Sequence, residues 1–514
     1  MRYLIKLITF FKLKTMNKKT KELLIITMIG FILLVSCGSS NSISDDPPGK
    51  GGITDGTVTG KATVYMTSAT GIYSLTKISL DILSGDNNKS ADIEINPSQT
   101  YQTMDGFGAA ITYSTAYNLL KMSQTDRTNF LRKTFSDTDG YGFSYVRISI
   151  GCSDFSSKEY TCCDKPGIEN FGLQSDDINY VIPVMKEILA INPHLKVIGS
   201  PWTCPQWMKV EDLNNKSPHN SWTDGHLNPD YYQTYSDYFV KWINAYQSAG
   251  VPIYAITPQN EPLNKGNCAS LYMPWSEESD FLKVLTPTFK KNGLTTKIYA
   301  YDHNYDAYSY PLNVYKTMDG YEGSEYVVGA AFHNYLGDEN ALDAMHISRP
   351  DKGLIFSEAS IGAWNDGRNL RTRLLDDMLH IALGTVNKYC TAVIVWNLML
   401  DSNMGPNLDG GCQTCYGAVD INKNDYKTIS VNSHYYVIAH LSSVIKPGAV
   451  RIGTTEKSLS VNGIIYSAFK NTDGSYAMVL CNTSDMQQNI SIGDGKNTIK
   501  VIIPAKSVVS TQWQ

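Results

Sequence analysis

Positive charge is scarce beyond the first few dozen residues of this chain. Lys and Arg total 44 against 49 Asp and Glu, a formal net charge of −5 over 514 residues. No basic block follows the N-terminal lysines, which excludes the electrostatic footprint of a nucleic-acid-binding protein. Long apolar runs are also missing. The run from Leu23 to Val35 is too short to span a bilayer. Cysteine is used sparingly, at ten positions. Only Cys412-Gln413-Thr414-Cys415 has C-x-x-C spacing, and it lacks a second pair or nearby histidines. It reads as a loop disulfide rather than a zinc site. There is no internal repeat.

What is present begins with an export signal. Lysines at 18, 19 and 21 precede the apolar run, which ends in Leu34-Val35-Ser36-Cys37 and resembles a bacterial lipobox. Residues 1–37 are therefore expected to be a lipoprotein signal peptide, with Met16 as a possible true start. Cys37 would be lipidated and become the new N-terminus, the alternative being an ordinary cleaved signal. Residues 38–60, rich in Gly, Ser, Asn, Asp and Pro, read as a flexible tether. The expected location is the bacterial cell envelope, with membrane contact through the lipid alone. Nine cysteines remain after Cys37, an odd number, so a monomer keeps at least one free thiol. Oligomeric state is left open.

From residue 61 to 103 apolar and polar side chains alternate, as in short strands. From 104 to 444 strand and helix patterns alternate. The expected strands are Gly106–Ile111, Tyr145–Ile150, Leu195–Ser200, Ile253–Thr257, Lys297–Tyr301, Tyr326–Ala331, Gly353–Phe356 and Ala392–Leu398. Helices such as Ile178–Ile191 and Tyr231–Ala249 lie between them. Eight such units predict a (β/α)8 barrel. From 445 to 514 short alternating strands return (Ser458–Val461, Ile464–Lys470, Ala477–Asn482, Asn489–Ile492, Thr498–Ile503). They predict a β-sandwich that the N-terminal strands complete.

Two of the barrel strands end in glutamates. Val251-Pro252-Ile253-Tyr254-Ala255-Ile256 leads into Thr257-Pro258-Gln259-Asn260-Glu261-Pro262, and Gly353 to Phe356 leads into Ser357-Glu358-Ala359. A carboxylate at each of two strand ends on one barrel rim is the equipment of glycoside hydrolysis. These two motifs resemble the acid/base and nucleophile motifs of glycoside hydrolase family 30, the glucosylceramidase and β-1,6-glucanase family. The resemblance runs from about residue 62 to the C-terminus.

The resemblance implies roles for further residues. Asp154 would hydrogen-bond sugar hydroxyls, Trp202 would contact the sugar, and Asn260 would bind the 2-hydroxyl. His333 would line the cleft, Tyr335 would lie close to the nucleophile, and Trp396 would form the floor. Asn407 matches a rim residue. Arg147, a charge in an apolar strand, needs a carboxylate partner and would support the acidic residues from behind. Asp105-Gly106-Phe107-Gly108 and Trp207 read as structural. Val395 stands where glucosylceramidase-type relatives carry an aspartate.

The implied reaction is a retaining hydrolysis without cofactor. Glu261 is expected to be protonated, its pKa raised by the charge of Glu358, and to serve as acid and then base. Glu358 is expected to attack the anomeric carbon. A metal held by His303, His333 and Glu358 is not expected. The substrate reading is β-1,6-linked glucan cut internally, with a glucosylceramidase-type or xylan-directed activity as alternatives. The competing class is a non-catalytic glycan-binding lipoprotein, against which the presence of both glutamates and Asn260 speaks.

Overall fold

A computed structural model describes residues 56–84, 91–457 and 461–514. The Cys37 reading, most of the tether and all but Val461 of the expected strand Ser458–Val461 fall outside the described residues.

Eight parallel strands close into a barrel: β1 (Gly106–Ala110), β2 (Tyr145–Ile150), β3 (Lys196–Pro201), β4 (Ala255–Ile256), β5 (Lys297–Asn304), β6 (Val327–His333), β7 (Gly353–Glu358) and β8 (Cys390–Val395). All residues of β1 and β2 are buried, as in parallel strands covered on both faces. Tyr145, Ile198, Tyr299, Ile355 and Ile394 belong to one interior cluster. Gly108 makes room for it, because a Cβ there would lie 1.8 Å from the Tyr145 carbonyl oxygen. Outside the strands, helix Tyr232–Ser248 buries Phe239, Trp242, Ile243 and Tyr246. The expected helix Ile178–Ile191 is a π-helical turn, Asp177–Val181, running into α-helix Ile182–Ile191.

Two strands depart from expectation in ways that shape the rim. β4 is only two residues long, because Pro252 and Pro258 carry no N–H for the ladder. β5 runs three residues further than expected, through a register shift between Tyr301 and His303. Tyr301 (φ 77°) and Asp302 (φ 61°) lie on left-handed backbone at that shift.

Nine further strands form a second closed sheet with its own apolar core, including Val64, Ile93, Met478, Leu480 and Val501. Three come from before the barrel (Thr57–Ser68, Thr76–Ser84, Ile93–Thr103) and six from after it. Thr57–Ser68 pairs with Ser507–Trp513, the last strand. His440 joins the two bodies: its Nδ1 lies 2.7 Å from Ser510 Oγ and its Nε2 2.8 Å from Thr67 Oγ1, all buried.

Candidate active site

The short β4 delivers Glu261 on a backbone tied to both neighbouring strands. The Asn260 N–H donates to the Pro201 carbonyl at the end of β3 (2.8 Å), and the Glu261 N–H donates to the Asp302 carbonyl on β5 (3.0 Å). Glu261 itself has φ 44°. A non-glycine residue there costs about 1–3 kcal/mol and persists only where the surroundings enforce it; the two backbone bonds supply that enforcement. Glu358 ends β7 within register of His333 on β6.

Arg147 stands beneath both glutamates, fully buried. Its Nη1 donates to Glu358 Oε2 (2.6 Å), its Nη2 to Asp302 Oδ2 and Asn260 Oδ1 (both 2.7 Å), and its Nε to Ser200 Oγ (3.2 Å). Asp302 also accepts from Thr257 Oγ1 (2.7 Å) and Ser357 Oγ (2.6 Å). Burial pushes the Asp302 carboxyl up, but Arg147, then His333 and Ser357, more than reverse this and hold it well below the usual carboxylate range.

His333 bridges the acids, with Nε2 3.1 Å from Asp302 Oδ1 and Nδ1 3.1 Å from Glu261 Oε1. Asn264 Nδ2 donates to Glu261 Oε2 (2.7 Å) and the Tyr335 hydroxyl to Glu358 Oε1 (2.9 Å). One oxygen each of Glu261 and Glu358 lies within 4.8 Å of the other, with a His333 nitrogen inside the same limit. Carboxyl groups about 5–5.5 Å apart belong to double displacement, whereas a single displacement needs about 6.5–9.5 Å to admit water.

The protonation state differs from the expectation for Glu261. Burial alone would raise its pKa. The hydrogen bond from His333 and the positive charge of His333 and His303 overcome that and hold it at about 2. His333 rises to about 9, because Glu358, Asp302 and Glu261 outweigh the burial that would lower it. Glu358 is raised, first by burial and then by the charge of Glu261, against His333 and Arg147. At neutral pH these opposed shifts put the acid proton on the His333 side of the His333–Glu261 pair.

A cleft of about 780 Å³ opens over the pair, lined among others by Asp154, Glu261, Tyr335, Glu358, Trp364 and Trp396. Asp154 is raised to about 8, by burial and then by the charge of Glu358. Trp202, Asn260 and His333 are buried next to this lining, and Asn407 is half-buried. Trp202, 1% exposed, stacks under Trp396 at 5.1 Å between ring centroids and carries Arg147 on its face. Asn260 and His333 are 3% and 0% exposed and are held by the buried network. Asn407 turns its amide onto the Met404 and Cys412 carbonyls. Val395 packs in the core between strands and helices, so its replacement of an aspartate does not reshape the cleft lining.

Asp302 and Asn264 were not singled out from the sequence. A buried Arg147 signalled that a carboxylate was needed, without saying which. Asn264 lies three residues after Glu261, across a turn that no periodicity marks. The trio Glu261, His333 and Glu358 has metal-ligand spacing among the described residues. Its carboxylate oxygens already accept from Arg147, Tyr335 and Asn264, and the adjacent guanidinium would repel a cation. Cys412 and Cys415 form a disulfide, and the other seven described cysteines are buried free thiols.

A closed parallel barrel with two carboxylates at double-displacement spacing on its strand ends defines a retaining glycosidase. The chain belongs to glycosyl hydrolase family 30: that family's TIM-barrel domain matches residues 104–445 and its beta sandwich domain residues 448–511. The chain is 30% identical to the endo-1,6-beta-D-glucanase neg1 of Aspergillus fumigatus, over 85% of this chain and 91% of that protein. It is 29% identical to the putative glucosylceramidase 4 of Caenorhabditis elegans, over 85% and 86%. It is also similar to the solved structure of the endo-β1,6-glucanase BT3312, at 56% identity and TM-score 0.84, over 88% of this chain and all of that one.

Proposed function

We propose that this glycosidase cleaves β-1,6-linked glucan internally, with Glu358 as nucleophile and Glu261 as acid/base. The observation that carries the substrate is the 56% identity to an endo-β1,6-glucanase over the whole of that chain. The 29% identity to the putative glucosylceramidase 4 is much weaker.

Glu358, ion-paired to Arg147 and aligned by Tyr335, attacks the anomeric carbon and forms a glycosyl ester. His333 Nδ1 passes its proton across 3.1 Å to Glu261 Oε1, and Glu261 gives it to the leaving oxygen and is left as the carboxylate. His333 is left as the neutral tautomer whose Nε2–H faces Asp302. A bound sugar excludes water from Glu261 and so favours its protonated form. Glu261 then takes a proton from the water that cleaves the ester. Trp396 and Asp154 hold the sugar being transferred.

Side-by-side digestion of β-1,6-glucan, β-1,3-glucan, xylan and glucosylceramide tests the substrate. Rapid release of mixed β-1,6 oligosaccharides is expected. Activity confined to glucosylceramide or to xylan would end the proposal.

The sequence Leu34-Val35-Ser36-Cys37 and the polar stretch after it support a second reading. The protein is exported and anchored to the cell envelope by acyl groups on Cys37.

A further inference from the structure

The disulfide lies in a place where global stabilisation does not account for it. Cys412 and Cys415 lie three positions apart in the sequence. In the chain-entropy account a crosslink stabilises more as the loop it closes lengthens, so this one contributes near the minimum. Both cysteines line the cleft, and residues 402–414 around them form turns and bends with no helix or strand.

Each half of the bonded segment grips a different wall of the sugar pocket. On the Cys412 side, the Leu408 N–H donates to the Asp154 carbonyl (2.8 Å), and the Cys412 N–H points at Asp154 Oδ2 from 3.4 Å. The approach is close enough to require glycine at 411, where a Cβ would lie 2.6 Å from Asp154 Cβ. On the other side, Cys415 pairs with Gly362 and Tyr416 with Ile361, and the Ala363 N–H donates to the Thr414 carbonyl (3.0 Å). That strand, Ile361–Gly362, begins just past Glu358.

We propose that the Cys412–Cys415 disulfide positions the pocket for the transferred sugar, clamping Asp154 to the segment that follows Glu358 so that sugar affinity depends on the closed bond. Without it, the irregular segment is held at Asp154 by one backbone bond and one long contact. Asp154 would then lose its fixed distance to the nucleophile wall. Cys412 and Cys415 act through Asp154 and are positioning residues. The inference rests on the glycosidase site and not on which glucan is cut.

The test compares untreated enzyme, enzyme reduced with a phosphine, and the Cys412→Ser/Cys415→Ser double variant. Mass spectrometry counts the thiols released by the phosphine. Glucose affinity is measured by calorimetry, kcat and KM on an aryl β-glucoside, and Tm by scanning. Both reduced forms are expected to bind glucose about tenfold more weakly and to raise KM by a similar factor. The Tm should fall by only a few degrees. Adding Asp154→Asn to the double variant should weaken binding no further than Asp154→Asn alone. A lowered Tm with unchanged glucose affinity and KM would overturn the proposal, as would losses that multiply with those of Asp154→Asn. If the double variant does not fold, the phosphine-reduced native chain gives the same reading. Glucose binding reports on the clamp even if the aryl glucoside or every glucan tried proves not to be a substrate.

Discussion

Replacing Arg147 with methionine keeps most of the side-chain length and removes the charge that holds the acids together. The guanidinium is buried and donates to Glu358, Asp302, Asn260 and Ser200 at 2.6–3.2 Å. Removing one partner of a buried ion pair costs about 3–5 kcal/mol, roughly a fifth or more of a typical total of about 5–15 kcal/mol. The pH dependence separates charge from packing. In the native protein the Asp302 pKa is depressed. Its contribution is therefore present above the unfolded value of about 3.9 and is lost only as pH falls through the lower folded value. Without Arg147, His333 and Ser357 still oppose burial at Asp302, whereas the Glu358 carboxyl, already raised by burial, loses a positive neighbour and rises further. Glu358 then costs the variant more at neutral pH than it costs the native protein, and this extra penalty shrinks as the group takes up a proton in mild acid. Denaturant midpoints at pH 7 and pH 5 should show a smaller stability difference at pH 5. On an aryl β-glucoside the loss in kcat/KM should reach about a hundredfold, equivalent to roughly 2.7 kcal/mol. A stability difference equal at both pH values, or below about 1 kcal/mol, would refute the electrostatic account.

Glu358→Ala should lose hydrolysis and regain turnover with azide, giving an α-glycosyl azide, while Glu261→Ala should cleave good leaving groups and then stall; a β-azide from the first variant would show the roles reversed. The native kcat/KM profile should fall on the alkaline side as the His333–Glu261 pair loses its proton towards pH 9; His333→Gln should move that limb down by a unit or more, and an unmoved limb would clear His333 of the role. Trp364, 54% exposed on the cleft wall, should matter more for polymer than for aryl glucoside, so Trp364→Ala should raise KM several-fold on glucan alone; equal effects on both would count against a sugar-stacking role. Cys37→Ser should release the protein from membranes, and an unmodified mature N-terminus beyond Cys37 would sink the anchor.

The barrel was legible because its strands are short apolar runs bounded by proline, glycine and polar residues, with helical periodicity between them. Glu261, Glu358 and Arg147 stood out because a charge at the end of, or within, an apolar strand needs a reason. The depth of the pocket was not legible. Strand order places Trp202 near the site, but only the packing of two loops stacks its ring on Trp396. The direction of the Glu261 shift was missed for a related reason. One negative neighbour was visible in the sequence, whereas the His333 contact depends on how β4, β5 and β6 are staggered around the rim. The extension of β5 through left-handed Tyr301 and Asp302 also breaks the alternation on which strand reading depends.

The pairing of Thr57–Ser68 with Ser507–Trp513 has a consequence for how the protein is made. At about 5–20 residues per second of synthesis, the first strand emerges roughly 20–90 seconds before the partner on that edge. For that time it is a nascent edge with unmet backbone donors and acceptors, open to pairing with another copy of itself. Lys61 is exposed on the strand, and a charged side chain there blunts edge-to-edge association. All eight barrel strands are made before Ser507–Trp513, the strand that closes the second sheet.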